Sequence, residues 1–311
     1  MPSTSTRSRH TQQIAALRPV KTPTTYLVAG FLLAACESAD HTPNPSLVPA
    51  EAFDAMMWNH LTNGVPDVIR LDAGTYLTRG SRAWWLAPGD SLIGAGMNRT
   101  VIRRMDPDAR FVVNGWTIAG TSQVRVTDLT LDANATLAGK EAACGIGGLH
   151  WKDSVIERVR VIRLGSFSLP SESFGIILED STNCVIRDCV VDQNVGGYVS
   201  AYTISGKHVT MADNVANFAW KPGWDVRLQA FCVAGVGPGG SADLIVTGNR
   251  TRNALFGVFS DTGAKIDGLT ISGNTGVLRN YPRVTAQVIR LTGAVRYLNV
   301  KTNRNAIRVA P

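Results

Sequence analysis

NCVIRDCVVDQN, residues 183–194, is one copy of a pattern that returns to the end of the chain. The position of Cys184 recurs as Val209, Leu244, Leu269 and Leu298. Two residues on stand Ile186, Met211, Val246, Ile271 and Val300; five on stand Cys189, Asn214, Asn249, Asn274 and Asn303. Backwards, the register runs through Ser154, Ile156 and Val159, then Val124, Val126 and Leu129. Successive copies lie 25–35 residues apart. A period of this size marks a solenoid, propeller or array. Each copy reads as a short alternating strand, a turn residue and a second short strand, with no helical periodicity between copies. This predicts a parallel β-helix, an all-β solenoid whose coils stack at about 4.8 Å. The asparagine column is its most specific detail. Asparagine favours turns, but a fixed offset behind an inward apolar residue predicts a buried ladder, amide bonded to amide.

Composition agrees. The 311 residues are 44% hydrophobic and 18% charged, enough apolar material for one long core. Residues 1–25 carry Arg7, Arg9, Arg18 and Lys21 and no acid, and TYLVAGFLLAAC follows. A basic start, a short apolar run and small residues read as a signal peptide over residues 1–35, too short to span a bilayer as a stable helix. Removing it takes four bases and no acid from the formal +7, leaving 27 bases against 24 acids, or +3. That balance makes no case for nucleic acid. Leu33-Ala34-Ala35-Cys36 resembles a bacterial lipobox, which implies lipidation at Cys36. Residues 36–48, with Pro43 and Pro45, then read as a tether. Residues 49–63 place Phe53, Met56, Met57 and Leu61 on one helical face, predicting a helix that covers the open end of the solenoid. The β-helix domain is expected over residues 49–311.

The residues after this helix carry a family resemblance. Ala73-Gly74-Thr75-Tyr76 ends a strand, and Gly94, Gly96, Thr100, Val101 and Ile102 form L-x-G-x-G-x-x-x-T-V-I. With the asparagine column, this resembles the pectate-lyase-like superfamily of single-stranded right-handed parallel β-helix proteins, which includes pectate lyases, polygalacturonases, alginate-modifying enzymes and phage tailspikes. The resemblance implies polysaccharide as partner and a groove on the first strand of each coil. Those strands are expected at 145–151, 175–179, 200–205, 231–236, 255–261 and 287–292. No catalytic signature transfers. The polygalacturonase motifs are absent, and Asp106-Pro107-Asp108-Ala109 only partly matches the D-P-H-E of alginate epimerases.

Alternation along these strands names the candidates. Ile176 and Leu178 inward leave Glu179 outward. Val258 and Ser260, aligned with them, place Asp261 outward beside the Glu179 column. Ile289 and Leu291 inward leave Arg290 outward. Three coils, about 14 Å, would separate Glu179 from Asp261. Glycoside hydrolysis therefore needs a loop carboxylate such as Glu172, Asp192 or Asp225. β-Elimination of an acidic sugar instead uses a cationic base, with Arg290, Arg227, Lys221 and Lys207 as available types and Ca²⁺ as the expected ion; no cofactor is otherwise implied. Trp220, Lys221, Trp224, Asp225 and Arg227, with Tyr198 and Tyr281, suit stacking and hydroxyl reading on a sugar chain. The cysteines read as structural, with a Cys144–Cys232 bridge left open. The chain is expected to be a monomer, a homotrimer being the alternative, anchored in the bacterial envelope or secreted. It acts on polysaccharide as lyase or glycosidase, or binds glycan without catalysis.

Overall fold

The computed structural model describes residues 25–27, 46–137, 142–165, 172–195, 198–219, 227–235, 240–260, 265–277, 289–292, 295–296 and 299–301. They form a right-handed parallel β-helix of about 7 turns. Seven strands stack in parallel as one sheet: Phe111–Ser122, Cys144–Lys152, Ser173–Thr182, Tyr198–Lys207, Arg227–Gly235, Leu255–Ser260 and Ile289–Thr292. Each is followed by shorter strands, such as Val185–Arg187 and Val190–Asp192, which stack on their equivalents in a second sheet.

The apolar column predicted from the repeat is the spine of the core. Ile69, Leu92, Val126, Ile156, Ile186, Met211, Val246 and Ile271 pair coil to coil in one register. All are buried. Each such side chain contributes about 1.5–3 kcal/mol by leaving water. Inside the long-strand sheet, Tyr202 stacks face to face on Phe231 with ring centroids 5.1 Å apart.

Two devices turn the coil between its short strands. The residue before the ladder column adopts a left-handed backbone: Asp128, Arg158, Asp188 and Asp213 hold φ of +50° to +60°, and Gly248 and Gly273 hold +66° and +64°. Aspartate tolerates this region and glycine enters it without strain. The ladder itself then closes the turn. The Cys189 N–H donates to Asn214 Oδ1, the Asn214 N–H to Asn249 Oδ1 and the Asn249 N–H to Asn274 Oδ1, at 2.9–3.0 Å. Each side-chain amide donates back to a carbonyl, of Ile186, Met211 or Val246. Asn214 and Asn249 also donate onward to the next asparagine. Leu129, Val159 and Cys189 precede the asparagines in this column, and Asn303 lies outside the described residues.

Cys144, Cys184 and Cys189 are free, buried thiols, so the open question of a Cys144–Cys232 bridge closes against it. Burial pushes Cys184 up to about 11 and Cys189 to about 12. Both therefore behave as small apolar side chains.

The helix runs Ala50–Thr62. Phe53 and Met57 are buried in the same core as Ile69 and Trp84, with Met56 and Leu61 packed against it. Asp54 locks the helix in place. Its carboxylate accepts hydrogen bonds from Thr78 Oγ1 (2.6 Å), Arg79 N (3.1 Å), Arg79 Nε (2.9 Å) and Trp84 Nε1 (3.2 Å). Asp54→Ala is expected to lose about 3 kcal/mol, because buried donors are left unpaired. Denaturant unfolding checks this; an unchanged midpoint would show that the helix adds nothing to the solenoid. Ahead of the helix, Ser46–Val48 pairs with Gly74–Thr78, and Thr25–Leu27 with Val68–Arg70. The remainder of residues 1–35, Cys36 and most of the tether lie outside the described residues.

Candidate functional site

The outward face of the long-strand sheet carries an open depression of about 170 Å³. Three columns make its floor. Phe174 pairs with Ser200, and Ser200 with Gln229. Ile177 pairs with Thr203, Thr203 with Cys232, Cys232 with Gly257 and Gly257 with Arg290. Glu179, one residue beyond the Leu178–Ile204 pair, opens the third column with Ser205 and Ala234.

At one end, Glu172 enters from the loop. The Ser200 hydroxyl lies 2.6 Å from Glu172 Oε1 and 2.9 Å from the Gln229 side-chain amide. A hydroxyl has one proton. That proton lies between two acceptors, Glu172 Oε1 and Gln229 Oε1, with the carboxylate oxygen the nearer. The result is a line of three polar side chains across neighbouring coils, Gln229 to Ser200 to Glu172. Behind it, the Arg110 guanidinium lies over the Phe111 and Phe174 rings at 5.5 and 5.7 Å and reaches the Glu172 carbonyl. Phe111, Ala142, Cys144 and Ile177 form a small apolar cluster outside the main core, with Phe174 packed on it. Glu179 sits half-buried at the other end. Phe174 and Glu179 are five residues apart on one strand, at most about 16 Å. The two carboxylates therefore flank a trough of hydroxyl, amide and apolar groups.

The structure sorts the predicted residues. Glu179 and Glu172 meet in one depression. Asp192 does not join them; it pairs with Arg160 at 2.8 Å on the short-strand sheet. The alignment of Asp261 is corrected. Val258 pairs in register with Leu178's column and Phe256 with Ile176's, so Phe259, paired with Ala234, follows Glu179. Alternation says which side chains face outward but leaves a strand free to slip by two residues, and it is the pairing of Val233 with Val258 that sets the register. Asp261 itself, with Trp220, Lys221, Trp224, Asp225 and Tyr281, lies outside the described residues. Tyr198 and Arg227 are register partners at the mouths of adjacent strands, two residues ahead of Ser200 and Gln229. Arg290 stands in the Ile177 column. Trp84 is buried in the core, while Trp85 stays exposed, edge-on to Trp58. Ser200 and Gln229 had no signal in the sequence beyond their outward place in a strand. Among the described residues no group of three or more His, Cys, Asp or Glu is placed to hold a metal ion.

Fold and groove together define a right-handed parallel β-helix protein with a polar trough on its long-strand sheet. No family model and no curated protein sequence matches the chain. Solved structures do. The tailspike protein of E. coli bacteriophage HK620, in complex with a hexasaccharide, superposes with TM-score 0.59 at 12% identity over 84% of this chain and 53% of that one. PfbA, a surface adhesin of Streptococcus pneumoniae, superposes with TM-score 0.51 at 11% identity over 82% of this chain and 76% of that one. The chain thus spans about half the length of the tailspike. At these identities the likeness is one of fold.

Proposed function

We propose that this chain is a glycan-binding β-helix protein of the bacterial cell surface, holding a polysaccharide along the trough between Glu172 and Glu179 and anchored through a lipid on Cys36. The observation that carries this reading is the Gln229–Ser200–Glu172 line facing Glu179 across an apolar floor. Carboxylate, hydroxyl and amide groups read sugar hydroxyls, and Phe174 and Ile177 supply the apolar contact that a ring face needs. The tailspike of the same fold, itself a hexasaccharide complex, supports polysaccharide as the ligand class. The surface adhesin supports a surface location.

Hydrolysis is the second reading, because two carboxylates share one depression. Retaining and inverting pairs stand about 5.5 Å and about 6.5–9.5 Å apart. Glu172 is held on Ser200 at one end of the depression and Glu179 stands at the other, so the separation of their carboxyl groups is what decides between binding and direct acid–base pairing.

The test is affinity electrophoresis of the protein through gels containing neutral or acidic polysaccharides, with and without Ca²⁺, while reducing ends and unsaturated products are followed. Retardation without new ends is expected. Glu172→Gln and Glu179→Gln should each weaken retardation by about tenfold, the order of a lost charge-assisted hydrogen bond, with an unchanged melting curve. Release of reducing ends, abolished by either substitution, would replace binding by hydrolysis. Retardation unaffected by both would move the ligand off this trough.

A further inference from the structure

The short-strand sheet carries a second charged surface, of opposite sign to the trough. Glu157 and Asp132 are buried acids, each side chain 1% exposed. Glu157 accepts hydrogen bonds from Arg125, Arg158 and Arg187, with Arg187 Nε at 2.8 Å. Asp132 accepts from Arg103 at 2.8 Å and from Arg163. Arg158 also clamps Asp128 at 2.7 Å. The acids lie beneath and the guanidiniums lie above: Arg103, Arg125, Arg158 and Arg187 keep 40–51% of their side-chain surface in solvent.

Three arginines bond to Glu157 and Asp128 and two to Asp132, while Asp188 follows Arg187 in the column of Asp128 and Arg158; five arginines thus stand over four carboxylates. These residues sit on consecutive coils, about 4.8 Å apart, so the excess charge is drawn out as a row along the solenoid. Among the described residues, the outward positions of these strands include no aromatic side chain. A bilayer surface is commonly gripped by interfacial tryptophan or tyrosine. A row of bidentate donors without them fits a linear polymer of carboxylate, sulfate or phosphate groups.

We propose that this arginine-clad surface is a second binding site, separate from the trough, for an anionic polysaccharide. The probe is dextran sulfate, with uncharged dextran as reference. Arg125→Gln combined with Arg163→Gln removes two of the five guanidiniums but leaves Glu157 with Arg158 and Arg187, and Asp132 with Arg103. The full-length wild type is expected to bind dextran sulfate in a salt-sensitive manner and to ignore dextran. The double variant should bind about tenfold more weakly and with less dependence on salt, the order expected for two lost surface charges, while keeping its circular-dichroism melt. Should that variant fail to fold, Arg187→Gln makes the same comparison with a single charge removed. Wild-type affinity in a folded variant would overturn the site. Equal or tighter binding to anionic phospholipid vesicles would overturn the polysaccharide in favour of a membrane surface. Equal binding to single-stranded DNA would reduce it to unselective polyanion adhesion.

Discussion

Asn249→Ala is expected to lower the free energy of unfolding by about 2–4 kcal/mol. Its amide serves both neighbouring coils. Asn249 Oδ1 accepts the Asn214 N–H at 2.9 Å and the Asn214 side-chain amide at 3.0 Å. Its Nδ2 donates to Met211 O at 3.0 Å and to Asn274 Oδ1 at 2.9 Å. All three asparagines are at most 1% exposed, so water does not replace what alanine removes. A backbone N–H and a carbonyl are left unpaired in the core, and each carries most of its desolvation cost. Asn249→Asp should also destabilise, because a carboxylate at this place faces Met211 O and Asn274 Oδ1 with no proton to offer. Equilibrium unfolding in denaturant measures both. Wild-type stability in the alanine variant would dismiss the ladder as a structural element and leave the apolar column alone to hold the coils in register.

Glu157→Leu should cost about 1–3 kcal/mol, because three half-exposed guanidiniums lose the acceptor they share while water still reaches them. Arg125, Arg158 and Arg187 would then face one another over an apolar side chain. The same group makes stability depend on pH. Burial raises the Glu157 carboxyl, but the hydrogen bond from Arg187 and the charges of Arg125, Arg158 and Arg187 outweigh it, and it titrates below its ordinary 4.5. Asp128 is likewise held below its ordinary 3.8, first by the hydrogen bond from Arg158. A depressed carboxyl adds stability that is complete above its unfolded value and is lost as pH falls through the folded one. Stability should therefore be level above about pH 5 and decline below about 4.5. Glu157→Gln, with no charge at this site, should show a shallower decline over that range. Parallel acid limbs in wild type and variant would assign the pH dependence to other carboxylates.

Much of this molecule is legible without coordinates, for a reason particular to solenoids. Each coil touches only its neighbours, so the same few contacts recur and leave a period in the sequence. Cys184, Ile186 and Cys189 in one copy announced the inward column and the ladder position in all of them. The capping helix was as plain, because Phe53, Met56, Met57 and Leu61 must share one face to reach a core. The candidate site was less so. Glu179 follows from alternation and Glu172 from its place in a variable loop, yet nothing in the chain says that both open onto one depression.

Burial demands an apolar or amide side chain at every repeat, so the solenoid, its phase and the residues that fill it are written in the period of the chain. Which outward residues meet depends on how the coils stack. The pairing of Ala234 with Phe259 puts Phe259, and not Asp261, in the column after Glu179, a slip of two residues to which alternation is blind. Ser200 gains its role from Glu172, 28 positions earlier, and from Gln229, 29 positions later. Glu157 draws Arg125 and Arg187 from the coils on either side. Outward side chains carry no burial constraint to repeat, so their partners are set by loop lengths and bulges, which leave no period to read.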